Sequence, residues 1–410
     1  MSKPDFFPTQ TQPMLVRFVQ SISYWVGRFK YQLKLRVSEA DIGKVRELGD
    51  ARIVLMPNHP TFDDGLAVFL FATQLGEIFN YLVAHENFDG WLGKFLPKMG
   101  CYSIRRGLGD RRSISHTLEL LKEERARMVI FPEGGCSFQN DAIMPFRTGA
   151  IQLPFQAMQS IAKKTKEFPP CYLVPISIKY RYLKSGKDII AKSLQNLENH
   201  FGIKPDSKDF YPRLRRVSEA VMSRLEDEYN IEPPADADWN DRINLTRQTV
   251  LNLCQEQLDI SFPEDFPLRE RVYKMQALLI EKADDEFALD LKTHEKLYQS
   301  TMRLLNFDAI YDGYVGAYPT PERFIDTLTR LEREVFDVEI PKPKGLHEAW
   351  LKVGEPINIK DYADQYKSDR QGTIAQLTEK MQFEVQNNLL EMMLEDRPAL
   401  DSIGVKIPAE

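Results

Sequence analysis

Between Arg52 and Tyr180 the apolar positions come in short blocks separated by polar turns. The blocks are RIVLM at Arg52–Met56, YLVA at Tyr81–Ala84, MVIF at Met128–Phe131 and YLVPISIKY at Tyr172–Tyr180. Each has the length of a buried strand. Between them, Gly65–Leu75, Ser113–Arg125 and Gly149–Ala162 carry apolar residues at helical spacing. Strands alternating with helices predict an α/β fold, a mixed sheet flanked by helices. Pro175 has no N–H for a ladder, so it is expected at a bulge or a sheet edge.

The flanks read differently. Met14–Val37 holds five bases and no acid, and Phe18, Ile22, Trp25 and Phe29 fall on one helical face. Such an amphipathic helix suits the headgroup layer of an anionic membrane, or it packs on the protein's own core. From Lys184 to Ile340 the chain has 31 acids and 21 bases, with helical periodicity at Leu214–Tyr229, Arg269–Lys282 and Pro321–Phe336. This predicts a large helical insertion. After the linker Pro341–Lys344, Ala349–Val353 reads as a strand, Gly354-Glu355-Pro356 as a turn and Thr373–Met393 as a helix. The expected division is an N-terminal helical region (1–43), an α/β core (44–183), the insertion (184–345) and a strand and helix completing the core (346–410).

Composition narrows the class. The 410 residues carry 54 bases against 60 acids, a net charge of -6, which argues against a nucleic-acid partner for the whole chain. Cys101, Cys136, Cys171 and Cys254 form no C-x-x-C pair, so a reducing, cytoplasmic setting is expected. No apolar run reaches the roughly 20 residues that cross a bilayer. Met1–Phe7 lacks the apolar stretch of a signal peptide.

Three loops hold candidate chemistry. Pro57-Asn58-His59-Pro60-Thr61-Phe62-Asp63-Asp64 follows a strand and precedes a helix, where α/β folds place ligands. A histidine there can act as a general base, with Asp63 or Asp64 behind its far nitrogen. Alternatively, Thr61 and Asp63 simply cap the helix. Gly100–Arg112 holds Arg105, Arg106, Arg111 and Arg112, a phosphate-binding cluster or a solvated loop. Phe131-Pro132-Glu133-Gly134-Gly135-Cys136-Ser137-Phe138 follows the MVIF strand, and Phe146-Arg147-Thr148-Gly149 opens the next helix with a cation at an anion-favouring end. Cys136 has no neighbouring histidine in sequence and is not read as a nucleophile.

In order and spacing these pieces resemble the PlsC-type glycerophospholipid acyltransferase family. His59 and Asp64 match its H-x4-D motif, with Thr61 in the hydroxyl position. Gly100, Ile104 and Arg106 match G-x-x-x-I-x-R. Phe131, Pro132, Glu133, Gly134 and Ser137 match F-P-E-G-T-R-S, and Gly135-Cys136 stand where that motif has Thr-Arg. Phe146, Arg147 and Gly149 match F-[KR]-x-G, Val174-Pro175-Ile176 match V-P-[VI], and Gly354–Ile357 match G-E-P-I. The likeness covers about half of the chain.

The resemblance implies a glycerol-3-phosphate acyltransferase-like sheet and a role in phospholipid biosynthesis. The implied reaction moves a fatty acyl group from acyl-CoA or acyl carrier protein to lysophosphatidate, or to glycerol 3-phosphate or another lysolipid or glycolipid. His59 would be the base and Asp64 its support. Arg105, Arg106 and Arg147 would hold the acceptor phosphate, and Glu133, Gly134 and Gly135 its reacting end. Thr61, Gly100, Ser137 and Pro175 would shape the motifs. No metal or resident cofactor is implied. The lipid acceptor implies a peripheral membrane contact, which residues 14–37 would supply. Two other classes are a metal-dependent phosphoester hydrolase, with His59, Asp63, Asp64 and Glu133 as ligands, and a non-catalytic membrane adaptor.

Overall fold

The computed structural model describes residues 4–107, 109–182, 186–263, 266–282, 290–308, 310–342 and 344–395. Leu108 of the basic loop, the first three residues and the end of the C-terminal segment 346–410 lie outside the described residues. The chain divides into two compact units. One takes in the described parts of 1–104, 110–183 and 345–396. The other takes in those of 105–109 and 184–344.

The first unit begins with α1 (Pro13–Lys30), β1 (Leu33–Val37), α2 (Glu39–Arg46), β2 (Arg52–Pro57), α3 (Asp64–Leu75) and β3 (Asn80–Ala84). It continues with the one-turn α4 (Gly90–Gly93), β4 (Cys101–Ile104), α5 (Arg111–Lys122), β5 (Arg127–Val129), α6 (Gly149–Thr165) and β6 (Cys171–Tyr182). The second unit is helical among its described residues: α7 (Lys187–Phe201), α8 (Phe210–Tyr229), α9 (Trp239–Leu258), α10 (Leu268–Lys282), α11 (Leu291–Phe307), the one-turn α12 (Tyr314–Ala317) and α13 (Pro321–Phe336). The chain then returns to the first unit as β7 (His347–Val353), β8 (Ile357–Asn358), α14 (Ala363–Ser368) and α15 (Arg370–Glu395).

The sheet has the order β1-β7-β6-β2-β5-β3-β4, with β8 beside the start of β6. All neighbours along that order are parallel except β6 and β7. The α/β mixed sheet flanked by helices is therefore as expected. Period-two alternation splits β2 between two cores. Ile53 and Leu55 face α1 and α3, with Val68 and Phe71. Val54 and Met56 face α5, α6 and α15, with Phe155 and Leu377. Because β2 is buried on both faces, its sequence is continuously apolar rather than alternating.

Pro175 is neither at a sheet edge nor in an edge strand. It pairs in register with Met56 inside the sheet. On its other side β8 pairs with Tyr172 and Leu173, and β7 begins its pairing at Ile176. The proline occupies the changeover between two neighbours, where its carbonyl accepts from the Gly354 N–H at 2.9 Å. A missing donor costs least there.

The basic N-terminal segment is not one helix to Val37. Gln32 takes a positive φ of 53° after α1 ends, and Leu33–Val37 becomes an edge strand parallel to β7. Within α1 the buried positions are Val16, Gln20, Ser23 and Gly27. The aromatic row faces outward: Phe18 is 63% exposed, Trp25 68% and Phe29 66%. The helix packs on its own core through Val16, Gln20, Ser23 and Gly27, with Leu15 and Val19 partly buried beside them, and its aromatic row looks out.

The helical unit has its own apolar core, including Leu194, Val217, Leu225, Val250, Leu304 and Phe324. Its charges are largely paired. Arg213 makes a fork on Glu198, Arg242 bridges Glu226 and Glu219, and Arg303 bridges Glu334 and Glu228. Arg106 belongs to this unit. Its guanidinium lies 4.5 Å over the Tyr273 ring of α10 and donates to the Tyr273 hydroxyl at 3.1 Å. Gly107 makes this docking possible, since a Cβ there would lie 2.2 Å from the Tyr273 backbone.

Candidate active site

The loop after β2 is held by its neighbour strand. β2 ends at Pro57, but β6 runs on with inward-facing backbone groups. The Asn58 carboxamide meets them: its Nδ2 donates to the Ile178 carbonyl at 3.0 Å and its Oδ1 accepts from the Ile178 N–H at 2.6 Å. Asn140 does the same two residues on, at the Tyr180 carbonyl and N–H (2.8 and 2.6 Å). Two side chains thus extend the ladder past the end of β2, which satisfies buried backbone polar groups.

His59 follows Asn58, and each of its backbone polar groups is engaged. Its N–H donates to Glu133 Oε1 at 2.6 Å, and its carbonyl accepts from the Ser137 N–H at 2.7 Å. Its ring lies against Phe131, centroids 4.5 Å apart. Nδ1 sits 2.6 Å from Asp64 Oδ2. Nε2 has no hydrogen-bond partner among the described residues, and the side chain remains 20% exposed.

Asp64 is fully buried at the first turn of α3, where a carboxylate is favoured. Besides the His59 ring it receives the Thr61 N–H at 2.9 Å, the Thr61 hydroxyl at 3.3 Å and the Tyr180 hydroxyl at 2.6 Å. This decides between the two aspartates: Asp64 supports the histidine and Asp63 does not. Nor does Asp63 cap the helix through its side chain. Thr61 Oγ1 accepts from the Asp63 N–H at 3.1 Å instead. Burial, and then the Asp64 charge, push the Asp63 carboxyl up to about 6. His347 Nε2 lies 4.0 Å from Asp63, and burial lowers the His347 pKa.

Residues 35–179 match the family model described as Acyltransferase. This segment belongs to the acyltransferase family. No curated protein matches the chain.

Within the acyltransferase segment the other expected positions fall as follows. Glu133 is 1% exposed, and its second oxygen accepts from the Met144 N–H at 2.8 Å. It ties the His59 loop to the loop before α6 through these two backbone amides. Gly134 has a φ of 70°, and its N–H donates to the Phe131 carbonyl at 3.1 Å. That amide closes a turn and is not presented to an oxyanion. The missing side chain of Gly134 makes room for Arg147, whose Nε would stand 2.4 Å from a Cβ there. The Arg147 N–H donates to the Pro132 carbonyl at 2.8 Å, fixing the start of α6 against the Glu133 turn. Gly135 and Ser137 are buried. Gly100 turns the chain into β4 with a φ of 87°, where a Cβ would press on the Phe79 carbonyl at 2.8 Å. Arg105 and Arg106 lie in the helical unit's part of the chain.

Among the described residues no three His, Cys, Asp or Glu side chains are grouped as metal ligands. His59, Asp63, Asp64 and Glu133 do not converge as a ligand set, because both Glu133 oxygens face backbone amides.

Three contributors escaped the sequence reading: Asn58, Asn140 and Tyr180. The first two carry no local signal, because an asparagine beside a strand end looks like a turn residue. Tyr180 carries a faint one. It closes the inward row Val174, Ile176, Ile178, and a buried phenol there needs a polar partner.

Proposed function

We propose that the protein transfers a fatty acyl group from an acyl thioester to a hydroxyl of lysophosphatidate or a related glycerolipid, with His59 as general base. The observation that carries this reading is the His59–Asp64 pair: Nδ1 tied to a buried carboxylate, Nε2 without a hydrogen-bond partner among the described residues, on a side chain that keeps some exposure. With its proton on Nδ1, the imidazole has its lone pair on Nε2. Nε2 takes the acceptor hydroxyl proton as the oxygen attacks the thioester carbonyl. Asp64 stabilises the imidazolium that forms. The C–S bond then breaks, and the departing sulfur recovers the proton from Nε2. The histidine ends as it began, and no acyl-enzyme is needed.

Arg147 is the cation that the acyltransferase unit itself carries beside the Glu133 turn, and we assign the acceptor phosphate to it first. Acyl-CoA or acyl carrier protein is the donor. The outward aromatic row of α1, with Arg17, Arg28 and Lys30, supports peripheral contact with an anionic membrane on its cytoplasmic side. No helix among the described residues is long and apolar enough to cross a membrane.

The test is acyl transfer by purified protein. Acyl-CoA and acyl carrier protein are offered against lysophosphatidate, other lysolipids and glycerol 3-phosphate, with His59→Ala alongside. Transfer that collapses in the variant is the expected result and names the acceptor. Absence of transfer to every acceptor, or transfer that survives His59→Ala, overturns the reading.

A further inference from the structure

Tyr180 lies far from the motif loops in sequence, yet its hydroxyl is 2.6 Å from Asp64 Oδ1. The opposite oxygen, Oδ2, faces His59 Nδ1. The phenol is buried and stays protonated, because burial and the neighbouring carboxylates hold its pKa well above 10. It is therefore a fixed donor to a fixed carboxylate. Asn140 clamps the Tyr180 backbone at both its N–H and its carbonyl, so the tyrosine has little freedom to drift along the strand.

We propose that Tyr180 is a positioning residue of the reaction, holding the Asp64 carboxylate in the plane and charge state that orient His59, and that Asn140 sets Tyr180 in place. The inference deepens the acyl-transfer reading and rests on it. A charge-assisted hydrogen bond is about twice as strong as a neutral one and is directional. Thr61 alone would leave Oδ1 with one long contact at 3.3 Å. Without the phenol the carboxylate can turn about its Cβ–Cγ bond, and the imidazole turns with it. The phenol also draws charge from Asp64, which would otherwise concentrate on the oxygens and bind the imidazolium more tightly.

The groups facing this pair are few. On its own loop and helix they are His59 and Asp63. From β6 comes Tyr180 and from β7 comes His347, whose ring lies 5.4 Å from that of Tyr180. From the loop after β5 comes Glu133, which bonds the His59 N–H. None of the others donates to Asp64 Oδ1 among the bonds described.

The experiment compares wild type, Tyr180→Phe and Asn140→Ala, using acyl-CoA with the best acceptor from the panel. Tyr180→Phe is expected to lower kcat about tenfold, the scale of one lost charge-assisted bond. Both KM values should stay within about twofold. The acid limb of the pH–rate profile should move to higher pH, a change that a space-filling tyrosine would not cause. Asn140→Ala should shift the limb the same way. Unchanged kcat and an unmoved limb in a folded Tyr180→Phe protein overturn the proposal. If wild type transfers nothing, the acyl-transfer reading fails on its own account. The positioning is then judged by NMR: the His59 ring should titrate at higher pH in Tyr180→Phe than in wild type, and identical titrations overturn it.

Discussion

Glu133 offers the sharpest separation between what the family motif implies and what the structure does. The resemblance puts this carboxylate on the substrate, whereas the structure spends it on the His59 and Met144 amides at 2.6 and 2.8 Å. Replacing it by glutamine keeps its shape but leaves one oxygen to accept. The other position becomes an NH2 group pointed at an N–H. A hydrogen bond to a charged group contributes about 1.5–3 kcal/mol, and the opposed donors add the cost of an unsatisfied buried amide, about 1–3 kcal/mol. A loss near 3 kcal/mol is therefore expected. At about 2–4 °C per kcal/mol for a unit of this size, that lowers the melting midpoint by roughly 6–12 °C. Three of the four tryptophans (Trp25, Trp91 and Trp350) lie in the first unit with Glu133, so tryptophan fluorescence reports its unfolding. Below the transition, displacement of the His59 loop should cost kcat on the order of 100-fold, with the acceptor KM little changed. The opposite pattern refutes the reasoning: an unshifted midpoint and preserved kcat, with an acceptor KM raised tenfold or more, would put Glu133 on the substrate.

Three further outcomes follow from the same structure. Lys179 and Asp141 form a buried ion pair beneath the Asn140 clamp, so Lys179→Met should cost about 3–5 kcal/mol in chemical denaturation. The double variant Lys179→Met with Asp141→Leu should recover most of it, and equal losses in both would refute the pairing argument. Asp63 gives a pH dependence with an uncommon sign. Its folded pKa of about 6 lies above the unfolded 3.8, so the folded state binds the proton more tightly. Its contribution favours folding below pH 4 and is lost as pH rises through 6; Asp63→Asn should stabilise by up to about 3 kcal/mol at pH 8 and by nothing at pH 3.5, as denaturation at the two pH values would show. Finally, Trp25→Ala with Phe29→Ala should weaken binding to phosphatidylglycerol-containing vesicles about 100-fold at low salt, from two interfacial aromatics at about 1.5 kcal/mol each. The melting point should not move, because both rings are exposed; unchanged vesicle affinity would remove α1 as the membrane contact.

The mixed sheet was legible wherever the pattern was local. β2, α3, β3, α6 and β6 lie within a residue or a few of their predicted ranges, because each is an uninterrupted apolar or helical run bounded by breakers. The His59–Asp64 pair was legible for the same reason, being five residues apart across a strand-to-helix turn. β1 was hidden because LKLRV continues the basic, aromatic spacing of α1, and only the turn at Gln32 separates them. β4 was hidden inside the arginine-rich motif, its four residues too short to show a period. The outward turn of α1 was open to two readings because periodicity finds a face and not what that face meets. The partner of Tyr180 was out of reach: Asp64 is 116 residues away, and only the sheet order brings them together.

The antiparallel pairing of β6 with β7 has a kinetic meaning. Tyr182 and His347 are register partners, so the whole helical insertion leaves and re-enters at one hairpin position. Zipping β6 to β7 means closing a loop of about 160 residues, roughly 4 kcal/mol dearer in chain entropy than a two-residue turn. Among the described residues β1 pairs only with β7, so it too waits on that closure. The strands that hold the His59 loop, β2 and β5, pair without it. A refolding chain should therefore form the centre of its sheet early and its β7–β1 flank late. Compaction of the insertion would act as the clasp, and a short turn in its place should speed the final step.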